Sequence, residues 1–244
     1  MTITSQHNQS LKEIRKLRQR RRWRERTGRF VAEGEDLLAA ADAAGWPAVE
    51  RYSAAGSGLP GTEVEPELLA SASGLGSGTR TLAVYEERWA SAPAGPLAVY
   101  LHGVSDPGNV GTILRTAAAF GASSVVLGPG TADPFSLKAV RSSMGAVFEV
   151  PLVRAAEAGG VGSLPGERIA LVPGEGVALG DIGSTGHEIF PATLLVGAER
   201  EGLPPALIAG ADHVAHIPIA TNSLNAAMAA TIALYELANR MARS

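Results

Sequence analysis

The stretch Leu194-Leu-Val-Gly-Ala-Glu-Arg-Glu-Gly-Leu-Pro204 passes from three apolar residues into a short polar loop that contains glycine. We interpret the apolar part as a buried strand that ends at Gly197, with Glu199 and Gly202 in a tight loop after it. A carboxylate at the carboxyl end of a parallel strand lies where α/β sheets bind ligands, and glycine lets the backbone approach a ligand closely. An ordinary polar turn is the alternative interpretation. The stretch therefore predicts an α/β sheet with a ligand site at this edge.

Strands alternate with helices on both sides of this stretch, which is typical of a largely parallel sheet covered on both faces. The last helix carries a broad apolar stripe. The predicted strands of this region are 97–102, 124–127, 148–153, 168–172, 193–196 and 213–217, and the predicted helices are 110–120, 136–142, 205–209 and 224–241. The stripe consists of Leu224, Met228, Ile232, Tyr235 and Leu237.

The charge of the chain is unevenly distributed. Residues 1–30 hold ten of the 21 Lys and Arg residues and two acidic ones, so this segment carries +8 and the rest of the chain −11. Eight of the ten cations are Arg, which binds phosphate with a planar fork and stacks on bases. The segment therefore indicates a nucleic-acid partner, with a solvated helix face or a tail as the alternative.

The residues before 97 form a smaller region. Apolar residues at helical spacing predict a basic helix over 10–26 that Thr27-Gly28 ends. A short βαβαβ pattern follows, and Ser91-Ala-Pro-Ala-Gly-Pro96 is the best linker because its prolines resist helix and central-strand structure. The predicted organisation is a basic N-terminal arm or helix at 1–26, a small α/β domain at 27–90, a linker at 91–96 and a larger α/β domain at 97–244. The predicted strands of the small domain are 29–32, 48–52 and 80–85, and its helices are 35–44 and 66–73.

Composition excludes several classes of protein. The chain of 244 residues has no cysteine, so disulfides and thiolate zinc sites are excluded, and we expect a cytoplasmic setting. The first residues lack the apolar stretch of a signal peptide, and no apolar run is long enough to cross a bilayer, so no membrane association is expected. His213 and His216 lie on a predicted strand without a cysteine nearby, and we expect no metal. The nucleophile elbow of serine hydrolases is absent.

Two further stretches place polar residues beside a strand end. In 106–121, Asn109 occupies a predicted helix N-cap position and Arg115 follows six residues later, with a simple cap and a solvated helix residue as the alternatives. In 217–229, Ser223 or Asn222 is a predicted cap of the last helix. Asn225 lies just inside that helix, where its propensity is lower than that of its neighbours.

Together the three stretches resemble the SpoU family of RNA ribose 2′-O-methyltransferases, within the SPOUT superfamily. The resemblance covers about residues 96–244, and the N-terminal part, with Gly28-Arg-Phe-Val-Ala-Glu-Gly34, looks like the small ribosomal-protein-L30-like domain of rRNA-modifying members. The residues that carry it are Asn109, Gly111 and Arg115 in the first motif, Gly197, Glu199 and Gly202 in the second, and Pro218, Ser223, Leu224 and Asn225 in the third.

The resemblance implies a fold and a cofactor. It implies a SPOUT-type α/β catalytic domain with a C-terminal trefoil knot, preceded by an L30e-like domain, and a homodimer that uses the last helix. The apolar stripe on 224–241 fits this interface and intramolecular packing equally. The cofactor would be S-adenosylmethionine, held in the knot loops with its adenine against backbone. The implied cofactor-binding residues are Val172, Pro173, Gly174, Val196, Gly197, Ala198, Glu199, Gly202, Ile217, Pro218, Ser223 and Leu224.

The resemblance also implies a reaction. The nucleophile is a ribose hydroxyl that needs deprotonation or orientation, and the family assigns this role to Arg115. Because guanidinium stays protonated in ordinary surroundings, Arg115 acts either as the base or as a cation that binds the adjacent phosphate. Asn109, Glu199, Ser223 and Asn225 would hold the site in register. The predicted RNA contacts are Arg21, Arg22, Arg24, Arg29, Arg115, Arg141 and Ser142. For Arg141 and Ser142, which lie in a predicted helix-to-strand turn, an exposed helix end is the alternative.

The substrate expected from the L30-like domain is 23S rRNA, since tRNA-directed relatives usually lack that domain. Three alternatives remain open at this point: a tRNA 2′-O-methyltransferase, a non-catalytic RNA-binding protein and a nicotinamide-dependent enzyme. The last is the weakest, because Gly174-Glu-Gly-Val-Ala-Leu-Gly180 imitates a dinucleotide fingerprint only loosely.

Overall fold

The computed structural model describes residues 2–74, 78–155, 161–183, 189–221 and 223–243. Its contacts divide the chain into two compact units. The first unit consists of Met1–Arg88 and Asp133–Phe148, and the second of Trp89–Ala132 and Glu149–Ser244.

Most elements follow one another in the order that the sequence predicts, with β3 and β9 as additional strands. Up to residue 88 they are α1 (Gln9–Gln19), α2 (Arg21–Thr27), β1 (Arg29–Glu33), α3 (Glu35–Ala43), β2 (Glu50–Ala54), β3 (Thr62–Val64), α4 (Pro66–Ala72) and β4 (Thr81–Glu86). After it they are β5 (Leu97–Leu101), α5 (Pro107–Ala119), β6 (Ser124–Leu127), α6 (Leu137–Ser143), β7 (Leu152–Arg154), β8 (Glu167–Leu171), β9 (Val177–Ala178), β10 (Ala192–Val196), α7 (Pro205–Ala209), β11 (His213–His216) and α8 (Ala226–Met241).

The basic N-terminal segment is part of the first unit's core. The side chains of Leu11, Ile14 and Leu17 on α1 are fully buried, and the Asn8 side chain caps this helix. The predicted single helix over 10–26 is wrong in one respect: it breaks into α1 and α2 at Arg20, whose backbone is extended (φ −123°, ψ 106°). The segment is therefore a folded pair of helices rather than an arm.

The first unit contains a four-stranded sheet in the order β1-β4-β2-β3. β4 is antiparallel to both β1 and β2, whereas β2 and β3 are parallel. The strand predicted at 48–52 lies two residues later, at Glu50–Ala54, and β3 was not predicted. A strand of three residues is too short to show a clear alternation of apolar and polar positions.

The segment 133–148 contributes part of the first unit's core. Phe135 and Phe148 lie with Phe30, Trp46 and Tyr85 in an aromatic cluster, in which the Phe30 and Phe135 ring centroids are 4.6 Å apart. Part of the larger domain predicted at 97–244, the segment Asp133–Phe148, thus belongs to the first unit. The strand predicted at 148–153 is also wrong at its start, because Ala146–Phe148 is a 3₁₀ turn and the strand is Leu152–Arg154.

The second unit is built on a seven-stranded sheet in the order β7-β6-β5-β10-β8-β11-β9, and every pair in it is parallel. Every residue of the central strands β5 and β10 is buried, as their continuous apolar runs predict. Because all strands run in one direction, their carboxyl ends share one edge of the sheet. No helix among the described residues combines the length and apolar character needed to cross a membrane.

Candidate active site

A cleft lies at the carboxyl ends of β8, β10 and β11. This main cleft has a volume of about 410 Å³ and is formed by the loops that follow the three strands. Ten of the twelve residues predicted to bind a cofactor line it, whereas Gly174 and Pro218 are not among its lining residues. The ten are Val172, Pro173, Val196, Gly197, Ala198, Glu199, Gly202, Ile217, Ser223 and Leu224.

The sequence interpretation missed other lining residues. Most flank a predicted one, as Glu175 and Arg200 do, and their position in the same strand-end loops was the signal that could have found them. The missed residues are Leu171, Glu175, Arg200, Glu201, Leu203, Ile208, Ile219, Ala226 and Ala229.

The loop after β10 is held closed by its own backbone. Ala198 and Gly202 exchange two backbone hydrogen bonds of 3.2 and 3.0 Å, and Gly202 has a φ of +68°, which favours glycine. A Cβ atom at Gly197 would lie 2.3 Å from the carbonyl carbon of Gly202. Gly197 is therefore needed for the loop to fold against itself, a requirement that is separate from approach to a ligand.

A second cavity of about 690 Å³ lies on the other side of the same loop. Residues 198–201 line both this second cavity and the main cleft, so they form a shared wall. The other lining residues of the second cavity include Ser105, Asp106, Asn109 and Asn225. The three predicted motifs thus meet at one place.

Three of the predicted residues are joined by hydrogen bonds, and we call them the asparagine network (Asn225, Asn109 and Glu199). Asn225 Nδ2 donates to Asn109 Oδ1 at 3.1 Å, and Asn109 Nδ2 donates to Glu199 Oε1 at 2.6 Å. Asn225 Oδ1 accepts from two backbone N–H groups of α8, at 2.9 and 3.3 Å. Since the helix fixes which Asn225 atom is the oxygen, the orientation of both amides follows, and a donor is aimed at the carboxylate.

The helix caps differ from those predicted. Asp106, not Asn109, caps α5: its carboxylate accepts from the N–H groups of Gly108 and Asn109 at 2.6 and 3.1 Å. Asn225 itself caps α8, so the predicted cap at Ser223 is wrong; Asn222 lies outside the described residues. Asn109 therefore does not cap α5, and both polar atoms of its side chain form hydrogen bonds within the network.

Arg115 and Ser223 are not part of the asparagine network. Arg115 is exposed on α5, about 9 Å along the helix axis and about 120° around it from Asn109. It lines neither cavity, and among the described residues it has no hydrogen-bond or ion-pair partner. Ser223 lines the main cleft, and its side chain bonds to none of the three network residues.

Two of the arginines predicted to bind RNA have internal hydrogen-bond partners. Arg24 is 4% exposed, and its guanidinium donates to Asp133 at 2.8 Å and to the carbonyl of Leu17 at 2.6 Å. Arg141 donates to the buried carboxylate of Glu33 at 2.6 Å. Both guanidinium groups are held by these internal partners, which gives them a structural role, and their contact with RNA stays a prediction.

The remaining predicted RNA contacts differ in exposure. Ser142 donates to the backbone carbonyl of Lys138 at 2.8 Å, which leaves its oxygen only as an acceptor. Arg21 is exposed and pairs with Glu25 one turn away at 2.8 Å. Arg22 is exposed and Arg29 is half-buried. The exposed cations of the N-terminal segment are thus on α1, on α2 and at Arg20 between them.

Comparison with known proteins places this site in a family. The SpoU rRNA Methylase family matches residues 96–235, which include the asparagine network and both cavities, and the MRM3-like substrate binding domain matches residues 8–87. The chain belongs to the SpoU rRNA methylase family. The resemblance seen in the three stretches is thereby confirmed.

Particular relatives refine the comparison. A 23S rRNA (guanosine(2553)-2′-O)-methyltransferase, RlmP of Bacillus subtilis, is 40% identical over 139 residues, which are 55% of this chain and 54% of the relative. A 23S rRNA (uridine(2479)-2′-O)-methyltransferase of Streptomyces viridochromogenes is 37% identical over 143 residues, 54% of this chain and 48% of that protein. The chain therefore spans about half the length of the curated relatives it matches.

Solved structures match over nearly the whole chain. The AdoMet-bound rRNA methyltransferase from Sinorhizobium meliloti is 32% identical, with a TM-score of 0.85 over 99% of this chain and 98% of that one. The SpoU methyltransferase AviRb from Streptomyces viridochromogenes, solved with AdoMet, is 28% identical, with a TM-score of 0.81 over 97% and 98%. Both units therefore have the fold of these methyltransferases, a parallel α/β domain with an N-terminal substrate-binding domain.

Proposed function

We propose that this protein transfers a methyl group from S-adenosylmethionine to a ribose 2′-hydroxyl of 23S rRNA. The observation that carries the proposal is the asparagine network, which joins one residue from each of three separate motifs at the wall between two cavities. The names of the 23S rRNA methyltransferase relatives support the substrate, and those of the AdoMet-bound structures support the cofactor. Ribosomal RNA as substrate implies a cytoplasmic setting.

The main cleft fits the cofactor. Its volume is within the range of small-molecule sites, roughly 300–1,000 Å³. Apolar side chains such as Val172 and Ile217 suit an adenosine, and the carboxylates of Glu175 and Glu199 suit a positively charged sulfur. When bound, S-adenosylmethionine supplies a methyl group on a sulfonium, which is a good leaving group. The family's trefoil knot is proposed for the loops around this cleft, and the non-sequential order β10-β8-β11 supports it.

The asparagine network positions an acceptor for a ribose hydroxyl at the wall between the two cavities. Asn109 holds the Glu199 carboxylate by a charge-assisted hydrogen bond, which fixes the carboxylate where the two cavities meet. Because Glu199 is exposed, one of its oxygens can still accept a bond from a hydroxyl of the substrate. A hydroxyl held in this way is oriented for attack, which lowers the entropic part of the barrier.

Arg115 is proposed to act as a cation. Its guanidinium is exposed and has no partner among the described residues, so its fork of donors is available to a phosphate, which supports the phosphate-binding role over that of the base. Arg115 lies on a different face of α5 from Asn109 and lines neither cavity of its own copy. In a homodimer, Arg115 would act at the active site of the second copy. Met228, Ile232 and Tyr235 on α8, which are 56, 40 and 55% exposed, support a homodimer through this helix.

The surface of α1 and α2 is proposed to bind the RNA. Arg20, Arg22 and Arg26 are exposed, and Arg26 lies 3.7 Å from the centre of the Trp23 ring. Lys16 lies 4.3 Å from the same ring. Cations clustered around an aromatic ring suit both phosphates and bases. Arg21, Arg22 and Arg29 stay proposed RNA contacts, together with Arg20 and Arg26.

The test compares Arg115→Ala with the wild type on ribosome-free total RNA and a labelled cofactor, followed by mapping of the 2′-O-methyl site. We expect transfer to fall at least about a thousandfold, in the range of lost acid–base or orienting groups, with cofactor affinity nearly unchanged. Arg243→Ala, which removes another exposed arginine of the second unit, is the matched control and should keep full activity.

Three results would contradict the proposal. Full activity of Arg115→Ala would remove its catalytic role. Label found in tRNA alone would contradict 23S rRNA as the substrate and would indicate a tRNA methyltransferase. Failure of the wild type to bind S-adenosylmethionine in calorimetry would favour a non-catalytic RNA-binding protein.

A further inference from the structure

One cation stands on the wall that the two cavities share. Among the described residues that line the main cleft or the second cavity, Arg200 is the one Lys or Arg, and none of the residues outside the described ranges is Lys or Arg. It belongs to the lining of both cavities. Its place in the loop, between Glu199 and Glu201, is a variable position of the glycine-containing motif, so no motif assigned it a role.

The charges around Arg200 form a pattern. Glu175, Glu199 and Glu201 also line the main cleft, which gives it three carboxylates and one guanidinium. Arg200 is exposed and forms no ion pair with any of these carboxylates, nor a hydrogen bond with another described residue. Its N–H donors are therefore available to an anionic group of a ligand, while the three carboxylates suit positive charges on the same ligand.

The methionine portion of S-adenosylmethionine has this distribution of charge. It carries a sulfonium, an α-ammonium and an α-carboxylate, which are two cations and one anion within a few bonds. We propose that Arg200 binds the α-carboxylate of the cofactor, while carboxylates of the same cleft attract the two cations. The proposal rests on the proposed function, because it assigns one contact within the same cleft.

An RNA phosphate is a poorer match for Arg200. The second cavity, through which a ribose would reach this wall, places Asp106, Glu199 and Glu201 around the single guanidinium. A strand of phosphates would meet a negative surface there, whereas the cofactor brings its own cations to those carboxylates. The charge pattern therefore favours the carboxylate of the cofactor.

The experiment is a thermodynamic cycle in calorimetry with the full chain. S-adenosylmethionine and its decarboxylated derivative, which has hydrogen in place of the α-carboxylate, are titrated into wild type and Arg200→Gln. We expect the wild type to bind the intact cofactor about tenfold more tightly than the decarboxylated derivative. This is the low end of the range for a charge-assisted hydrogen bond, because Arg200 is exposed. Arg200→Gln should bind both ligands within about twofold of each other. Arg200→Lys should keep part of the preference, and Arg243→Gln should keep all of it.

The outcomes separate this inference from the proposed function. A wild type that binds neither ligand overturns both. A wild type that binds the cofactor while Arg200→Gln keeps the full preference overturns the inference alone. A weaker affinity of Arg200→Gln for RNA, with an unchanged preference between the two ligands, assigns Arg200 to phosphate and also overturns it. Because Arg200 has no partner among the described residues, its variants should unfold at the wild-type temperature.

Discussion

Two clusters of polar side chains in this protein are similar in composition and opposite in setting. The Glu33 cluster (Glu33, Ser73, Gly74 and Arg141) surrounds a carboxylate that is fully buried, and Glu33 accepts hydrogen bonds from all three partners, at 3.2, 2.8 and 2.6 Å. The asparagine network also ends on a carboxylate, but Glu199 is exposed and receives one bond from the network, from Asn109.

The comparison separates structural from functional polar groups. A buried carboxylate must have its acceptors filled, so the oxygens of Glu33 are occupied by internal donors and are not available to a ligand. An exposed carboxylate held on one side keeps acceptors for a substrate. Arg141 was predicted to bind RNA because it is a basic residue near a turn, and only the burial of Glu33 reveals its role. Removing one residue from each cluster tests whether the difference is real.

The largest expected effect is on stability, from Arg141→Met. Glu33 would remain buried without its counter-charge, and we expect a loss of about 3 kcal/mol in the free energy of unfolding, the low end for a broken buried pair since the Ser73 and Gly74 bonds persist. Urea unfolding followed by tryptophan fluorescence measures it. The double variant Arg141→Met/Glu33→Gln should recover much of the loss, because the amide is neutral.

Arg22→Met is the matched control for Arg141→Met, since Arg22 is an exposed arginine of the same unit. Its free energy of unfolding should stay within about 0.5 kcal/mol of the wild type. Equal stabilities of Arg141→Met and Arg22→Met would show that the Glu33 cluster is not a structural requirement.

An intermediate effect is expected from Asn225, which both caps α8 and orients Asn109. Serine at this position caps a helix but is too short to donate to Asn109, so Asn225→Ser should lose roughly tenfold in methyl transfer with little change in stability. Alanine removes both functions, and Asn225→Ala should in addition lose about 1 kcal/mol of stability. Single-turnover methylation and urea unfolding separate the two.

The two variants together test whether the amide of Asn225 orients the active site. If Asn225→Ser transfers methyl groups as fast as the wild type, the amide of Asn225 does not orient the site. If it unfolds as easily as Asn225→Ala, the serine fails to cap α8, and the loss of activity would then reflect the helix end instead.

The smallest effect concerns an exposed ion pair, Arg168 and Asp212. Hydrogen bonds from the Arg168 side chain and backbone N–H lower the pKa of Asp212 from 3.8 to about 2. The pair therefore stabilises the fold fully above pH 4, and this contribution is lost as the pH falls from 4 to 2. Because both side chains are substantially exposed, Asp212→Asn should cost less than about 1 kcal/mol at pH 7.

Urea unfolding of wild type and Asp212→Asn at pH 7, 4 and 2.5 measures this contribution. The difference between the two proteins should shrink across the lower interval. A difference that grows as the pH falls would contradict the pKa direction, and one as large as that of Arg141→Met would contradict the contrast between exposed and buried pairs.

The sequence predicted the central strands of the large sheet well because buried parallel strands are continuous apolar runs, as at Leu194–Val196. The edge strand β9, which has two residues, was not predicted. The caps were mistaken although a signal existed: Pro107 favours the first helical position, which places the cap at Asp106. The burial of Arg24 had no local signal, since its partner Asp133 is 109 positions away. Asn109, Glu199 and Asn225 came together as expected, whereas Arg115 lines neither cavity. Arg200 was missed because the motif does not specify the residue at its position.

The division of the first unit between residues 1–88 and 133–148 has a consequence for synthesis on the ribosome. A chain grows by about 5–20 residues per second, so roughly 3–12 s pass between emergence of the first stretch and of the second. During that interval Glu33 lacks Arg141 and Phe30 lacks Phe135, although β1 to β4 have already been made. The amino-terminal sheet is thus translated first and completed late, after β5, α5 and β6 of its neighbour have emerged.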